Sequence, residues 1–268
     1  MGVVTWTGAM DWKLKAALTG AAVLMVMAVM RWGGRRTAGL AAALPIITAP
    51  TLGWLSHESS VAFAVEAAIG SVAACAMLAA FALCYARAAR VGGAFAALLA
   101  GLAGAALTAL PAEWASGQLV DALAVAFLGC ALARAAMPDE PVVAQGRPAS
   151  PLSMGAVACV ASVISLIAAS IGPSIGGFAT GLVSSLPLIT GAVAMAEHAT
   201  AGHRAAGRFL SGYVGGLFGK AMFGCVFAVL APLTGAPLAL LSGCLAAALM
   251  SALQWRLGPL EAMAAPAP

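Results

Sequence analysis

The amino-acid sequence predicts an all-α polytopic membrane protein of about nine transmembrane helices, built as two inverted four-helix repeats joined by a connector helix. Three observations lead there. The chain is 63% hydrophobic and only 8% charged over 268 residues, too little charge to give a soluble domain a solvated surface. Its apolar residues fall into blocks of bilayer-spanning length. One block is written twice: Gly39-Leu40 with Leu44-Pro45-Ile46-Ile47-Thr48 recurs as Gly181-Leu182 with Leu186-Pro187-Leu188-Ile189-Thr190, 142 residues further on.

In chain order the expected spans are 14–31, 38–56, 61–86, 92–110, 118–137, 153–171, 176–196, 206–230 and 236–255. Each supplies about 20 residues, which at about 1.5 Å rise crosses a hydrocarbon core of about 30 Å. The first follows Lys13 and Lys15 and runs into Arg31-Trp32-Gly33-Gly34-Arg35-Arg36 with no small-residue cleavage site, so it is read as a retained helix and not a signal peptide. Spans two and seven carry Pro45 and Pro187 near their centres and are expected to be interrupted there, because proline removes a donor and frees a carbonyl one turn back.

Cys75, Cys84, Cys130, Cys159, Cys225 and Cys244 all lie inside apolar blocks without paired metal spacing. They read as small packing residues, not as disulfides or metal ligands. Trp6, Trp12, Trp32, Trp54, Trp114 and Trp255 sit near span ends, where an interfacial aromatic belt places them.

With nine spans, one side collects Arg31, Arg35, Arg36, Arg87, Arg90, Arg134, Arg147, Arg204, Arg208 and Arg256, and the other only Lys13 and Lys15. The positive-inside bias makes the arginine-rich side cytoplasmic, with the N-terminus outside and the C-terminus cytoplasmic in a bacterial-type inner (plasma) membrane. The net charge of +4 is therefore a matter of topology. No basic run with interleaved aromatics forms a nucleic-acid surface.

Shifting the first four spans by 142 residues lays them on spans six to nine and leaves span five unpaired. Pro45 then matches Pro187, Thr48 matches Thr190, Gly70 matches Gly212, and Glu66 matches Arg208. Because the second unit starts five spans after the first, it enters from the opposite side, the inverted arrangement common in secondary transporters. The expected units are a first repeat over 1–117, a connector and cytoplasmic linker over 118–152, and a second repeat over 153–268.

Freed backbone groups persist at membrane depth only against protein, water or ligand, so Pro45, Thr48, Ser184, Ser185, Pro187 and Thr190 are candidate substrate or ion contacts. On span eight, Arg208, Gly212, Gly216 and Lys220 share a face with Gly219 at 100° per residue. Small residues spaced by four allow close helix contact, and a lysine halfway through a span is costly unless paired or facing a watery cavity. Lys220 is the leading candidate, with Glu66 its expected ion-pair partner. Glu197, His198 and His203 form a short polar cluster suited to a gate or headgroup contact, and His57 with Glu58 could form the opposite gate.

The expected function is a secondary active transporter or exporter moving a small anionic or zwitterionic metabolite by alternating access around a midplane site. An integral-membrane enzyme acting on a lipid or isoprenoid, or a channel or scaffold subunit, stands as the alternative. The expected partners are the lipid bilayer, a small-molecule substrate and H+ or Na+ as coupling ion, with homo-oligomerisation left open. No catalytic constellation, cofactor motif or metal-binding pattern is legible.

Overall fold

The structure, a computed structural model, describes residues 12–114, 118–138 and 175–257. Within these the chain forms α1 (Trp12–Ala43), α2 (Thr48–Glu58), α3 (Val61–Ala88), α4 (Ala94–Trp114), α5 (Leu119–Ala136), α6 (Gly177–Ser184), α7 (Leu188–Ala201), α8 (His203–Thr234) and α9 (Ala236–Leu257). Six helical stretches of the described residues are long and apolar enough to cross a membrane, and Ala94–Ala109 is a shorter one. The expected sixth span and most of the linker before it lie outside the described residues.

Both prolines interrupt their spans. After Ala43 the chain leaves helical geometry over 44–47, and the amide of Ala49 then bonds to the Pro45 carbonyl at 2.8 Å. In the second case α6 stops at Ser184, and Pro187 itself opens α7, its carbonyl accepting from Gly191 N at 2.7 Å. Proline suits a helix start because the N–H it lacks would have had no partner there. Spans one and two are separate helical segments within α1, parted at Gly34, whose φ of 80° and ψ of 170° break the helical path. Gly176 repeats this conformation, with φ 89° and ψ 162°, just before α6; only glycine takes up such angles freely.

α3 and α8 form the centre and pack on one another. Ser60 caps α3 by accepting the Phe63 amide at 3.1 Å, which satisfies one of the donors left over at a helix start. The most hydrophobic stretch of α3 is 83% buried, against 17% for that of α9. Around them, α2, α4, α5 and α6 pack on α3, while α1, α5, α7 and α9 pack on α8. The core is built from Val72, Leu78, Phe81 and Tyr85 on α3 with Phe209, Leu210, Leu217, Phe223 and Phe227 on α8. The outer face of α9 exposes Leu238, Leu241, Leu245, Leu249 and Leu253, an apolar stripe at helical spacing. In water that stripe would drive aggregation; against lipid tails it is at home.

Glycines set the closest helix approaches, and they do so in pairs. A methyl group at Gly39 would collide with the Phe209 carbonyl and the Tyr213 amide, and one at Gly181 with the Ala67 carbonyl and the Ser71 amide. Gly212 is pressed against the Arg36 carbonyl, and Gly70 against the Phe178 carbonyl. Adding 142 to 36, 39, 67, 70 and 71 gives 178, 181, 209, 212 and 213, so each contact has a counterpart with the partners exchanged between the halves. Gly101 against Phe81 and Gly243 against Phe223 follow the same offset, as do the ring pairs Phe81–Tyr85 at 5.9 Å and Phe223–Phe227 at 6.4 Å.

Candidate functional site

The interruption before Pro187 opens onto polar side chains of the two central helices. Ser185 is buried, and its hydroxyl lies 3.1 Å from that of Ser71 on α3. One turn on, the Cys75 thiol donates to the Ser71 carbonyl at 3.5 Å, and the Cys130 thiol of α5 donates to the Cys75 carbonyl at 3.7 Å. Across from them Thr190, also buried, shares a side-chain hydrogen bond with Tyr213 of α8. Seven residues beyond Tyr213, and so on the same face roughly 10 Å along the axis, stands Lys220.

Lys220 is 8% exposed. It makes no ion pair or hydrogen bond among the described residues, although Cys75 lies within electrostatic reach. The expected partner, Glu66, is exposed on α3, its carboxylate against Gly177 at the start of α6. A cation so enclosed needs a counter-charge or a watery pocket, since holding it at membrane depth alone costs about 3 kcal/mol or more.

The remaining candidates divide. Pro45 and Thr48 are buried at the first interruption. The Ser184 hydroxyl turns back to the Gly181 carbonyl at 3.0 Å, a local bond that ties it to its own helix. Gly212 and Gly216 take the close approach of α1, with Arg36, Leu40 and Ala43 against them. Arg208, half-buried one turn before Gly212, has an interaction partner of its own.

At the far end of α7 the Glu197 carboxylate meets the Arg35 guanidinium at 2.6 Å, with both side chains nearly buried. The His198 ring stands edge-on to Tyr85 with centroids 6.2 Å apart. The Tyr85 hydroxyl and His198 Nδ1 are buried without hydrogen-bond partners among the described residues. No group of three or more metal-ligating side chains occurs among the described residues, and the five described cysteines are free thiols.

Reading the residues singly missed Ser71, Tyr213 and Arg35. Ser71 and Tyr213 lie 142 residues apart on α3 and α8, so the repeat offset itself could have singled them out. Arg35 was counted only as a topological charge. Its partner is 162 residues away, a spacing with no relation to the repeat.

These features define a polytopic, largely helical membrane protein consistent with a transport-type fold. No family model, no curated protein and no solved structure matches the chain.

Proposed function

We propose that the protein is a secondary active transporter or exporter of a small anionic or zwitterionic metabolite. Its two inverted repeats, 1–117 and 153–268, are joined by the 118–152 connector and work by alternating access. The observation that carries this reading is Lys220: an enclosed ammonium without a protein counter-charge among the described residues, about two turns along α8 from Tyr213 and within electrostatic reach of Cys75. A substrate carboxylate or phosphate supplies the missing charge. At 4 Å and an effective dielectric near 20 that attraction amounts to about 4 kcal/mol, a factor of roughly a thousand in affinity.

The exchanged glycine contacts support the inverted repeat. Residues 142 apart make the same contacts with the partners exchanged, as an internal two-fold would arrange them, and the odd number of spans between the units makes that relation an inverted one. In this reading Lys220 holds the anionic group while Thr190, Tyr213, Ser185 and Ser71 orient the rest. Thr48 and Pro45 face the substrate from the first half, and Arg35–Glu197 closes the cytoplasmic side. Interrupted helices fit a carrier because their loose carbonyls and half-helix dipoles can bind a coupling H+ or Na+ and release it when the halves rock.

The test is uptake by proteoliposomes of a panel of radiolabelled carboxylates, phosphate esters and amino acids under imposed proton or sodium gradients. Saturable, gradient-dependent uptake is expected, and it should be lost in Lys220→Ala and Thr190→Ala proteins that still elute as folded, monodisperse species. Non-saturating conduction that ignores the gradient would make the protein a channel. Turnover of a lipid or isoprenoid without any gradient would make it an enzyme.

A further inference from the structure

The C-terminal ends of α3 and α5 frame an open cavity of about 590 Å³ lined by Arg87, Arg90, Val91, Ala136 and Pro138. We propose that this cavity is a binding site for the headgroup of an anionic phospholipid from the surrounding bilayer. It is separate from the Lys220 cluster and does not depend on the transport reading.

Three features argue for it. The first is position: α3 and α5 are both long and apolar enough to cross a membrane, so their ends lie at the level of the headgroups. The second is charge held in place. The Arg87 Nη2 donates to the Ala136 carbonyl at 3.1 Å, which pins its guanidinium across the mouth between the helices. Guanidinium carries five donors, and no other hydrogen bond of Arg87 is made among the described residues. Its fork geometry matches the oxygens of a phosphate. Arg90, which also has an interaction partner of its own, adds a second positive charge on the same rim.

The third is the apolar approach. Val91, inside the cavity lining, is 92% exposed, and Leu128 and Leu132 on α5 are 62% and 61% exposed. At four-residue spacing, Leu128, Leu132 and Ala136 form one stripe that leads along α5 to the cavity. A soluble phosphate would use only the two arginines. A phospholipid uses both parts, its acyl chains along the stripe and its phosphate between the guanidinium groups, as basic pockets between transmembrane helices do for anionic lipids.

Native mass spectrometry of the detergent-purified protein, titrated with phosphatidylglycerol or phosphatidylcholine, tests this. Phosphatidylglycerol should be retained well above phosphatidylcholine. The Arg87→Gln/Arg90→Gln double variant should lose its retention by roughly 30-fold, since each basic residue at a membrane surface contributes a factor of roughly five towards anionic lipid. Arg256→Gln, which removes an exposed charge at the end of α9, should change nothing. Equal retention of both lipids, equal loss in Arg256→Gln, or full retention in the double variant would overturn the proposal. So would displacement by millimolar inorganic phosphate, which would make the cavity a site for soluble anions. Unchanged elution and thermal unfolding of the double variant separate lost binding from lost folding, and Arg87→Lys, which keeps the charge but not the fork, should retain an intermediate amount.

Discussion

The Arg35 guanidinium and the Glu197 carboxylate meet at 2.6 Å and so tie the limb of α1 that follows Gly34 to the last turn of α7. The pair sits one residue after the helix break at Gly34 and five residues before the positive-φ Gly202. Glu197→Gln should lower stability by about 1–2 kcal/mol, between the values for exposed and fully buried pairs. It should also speed amide exchange around residues 34–43. The charge-swapped Arg35→Glu/Glu197→Arg protein should recover part of that protection. Identical exchange in wild type and Glu197→Gln would mean that the pair fastens nothing.

Lys220 should distinguish charge from shape. Lys220→Met keeps much of the volume and removes the ammonium, so thermal stability in detergent should hold or rise, because an enclosed charge without a counter-charge is a cost. Substrate-dependent stabilisation should vanish with it, while Lys220→Arg should retain a fraction. If Lys220→Met lowers the unfolding temperature steeply, the lysine is structural and the anion-site reading fails.

The paired glycine joints predict paired penalties. Gly39→Ala and Gly181→Ala each drive a methyl into backbone atoms, and overpacking of that kind costs about 1–3 kcal/mol. The two substitutions should therefore depress the apparent unfolding temperature by similar amounts. Gly34→Ala, with open space around the added methyl, should act only through its positive φ, straining the break by about 1–3 kcal/mol. A large difference between the Gly39 and Gly181 variants would separate the two joints.

Tyr85 offers a test with an unusual sign. Its buried hydroxyl lacks a partner among the described residues, and leaving such a group unsatisfied costs about 1–3 kcal/mol. Tyr85→Phe should therefore raise the unfolding temperature, whereas Ser71→Ala, which strands the hydroxyl of Ser185, should lower it. Destabilisation by Tyr85→Phe would place a hydrogen-bonding water or ion beside His198.

Helix interruptions were legible in the sequence because their cause is covalent: Pro45 and Pro187 lack a donor wherever they stand. Span lengths followed from apolar runs for the same reason. The break at Gly34 falls where arginines around a Gly-Gly pair mark a span boundary in the sequence, but its conformation, with φ 80° and ψ 170°, shows only in the backbone angles. Side-chain pairing was the least accessible. Glu66 begins the helix that the sequence sets equivalent to α8 and carries the charge opposite to that of Lys220, yet Glu66 ends against Gly177, and the acid that found a base was Glu197. Which side chains face each other depends on helix rotation about its axis, and a nearly all-apolar α3 carries too little polar contrast to fix that rotation from sequence.

The exchanged glycine joints have one further consequence. In the alternating-access reading proposed above, two joints built on the same backbone atoms would hold the two facing states alike. Any resting preference must arise where the halves differ: Lys220 stands where the offset of 142 places Leu78, and Tyr213 stands where it places Ser71. A few unlike side chains would then act as the weight on an otherwise level balance, and exchanging them should tip it.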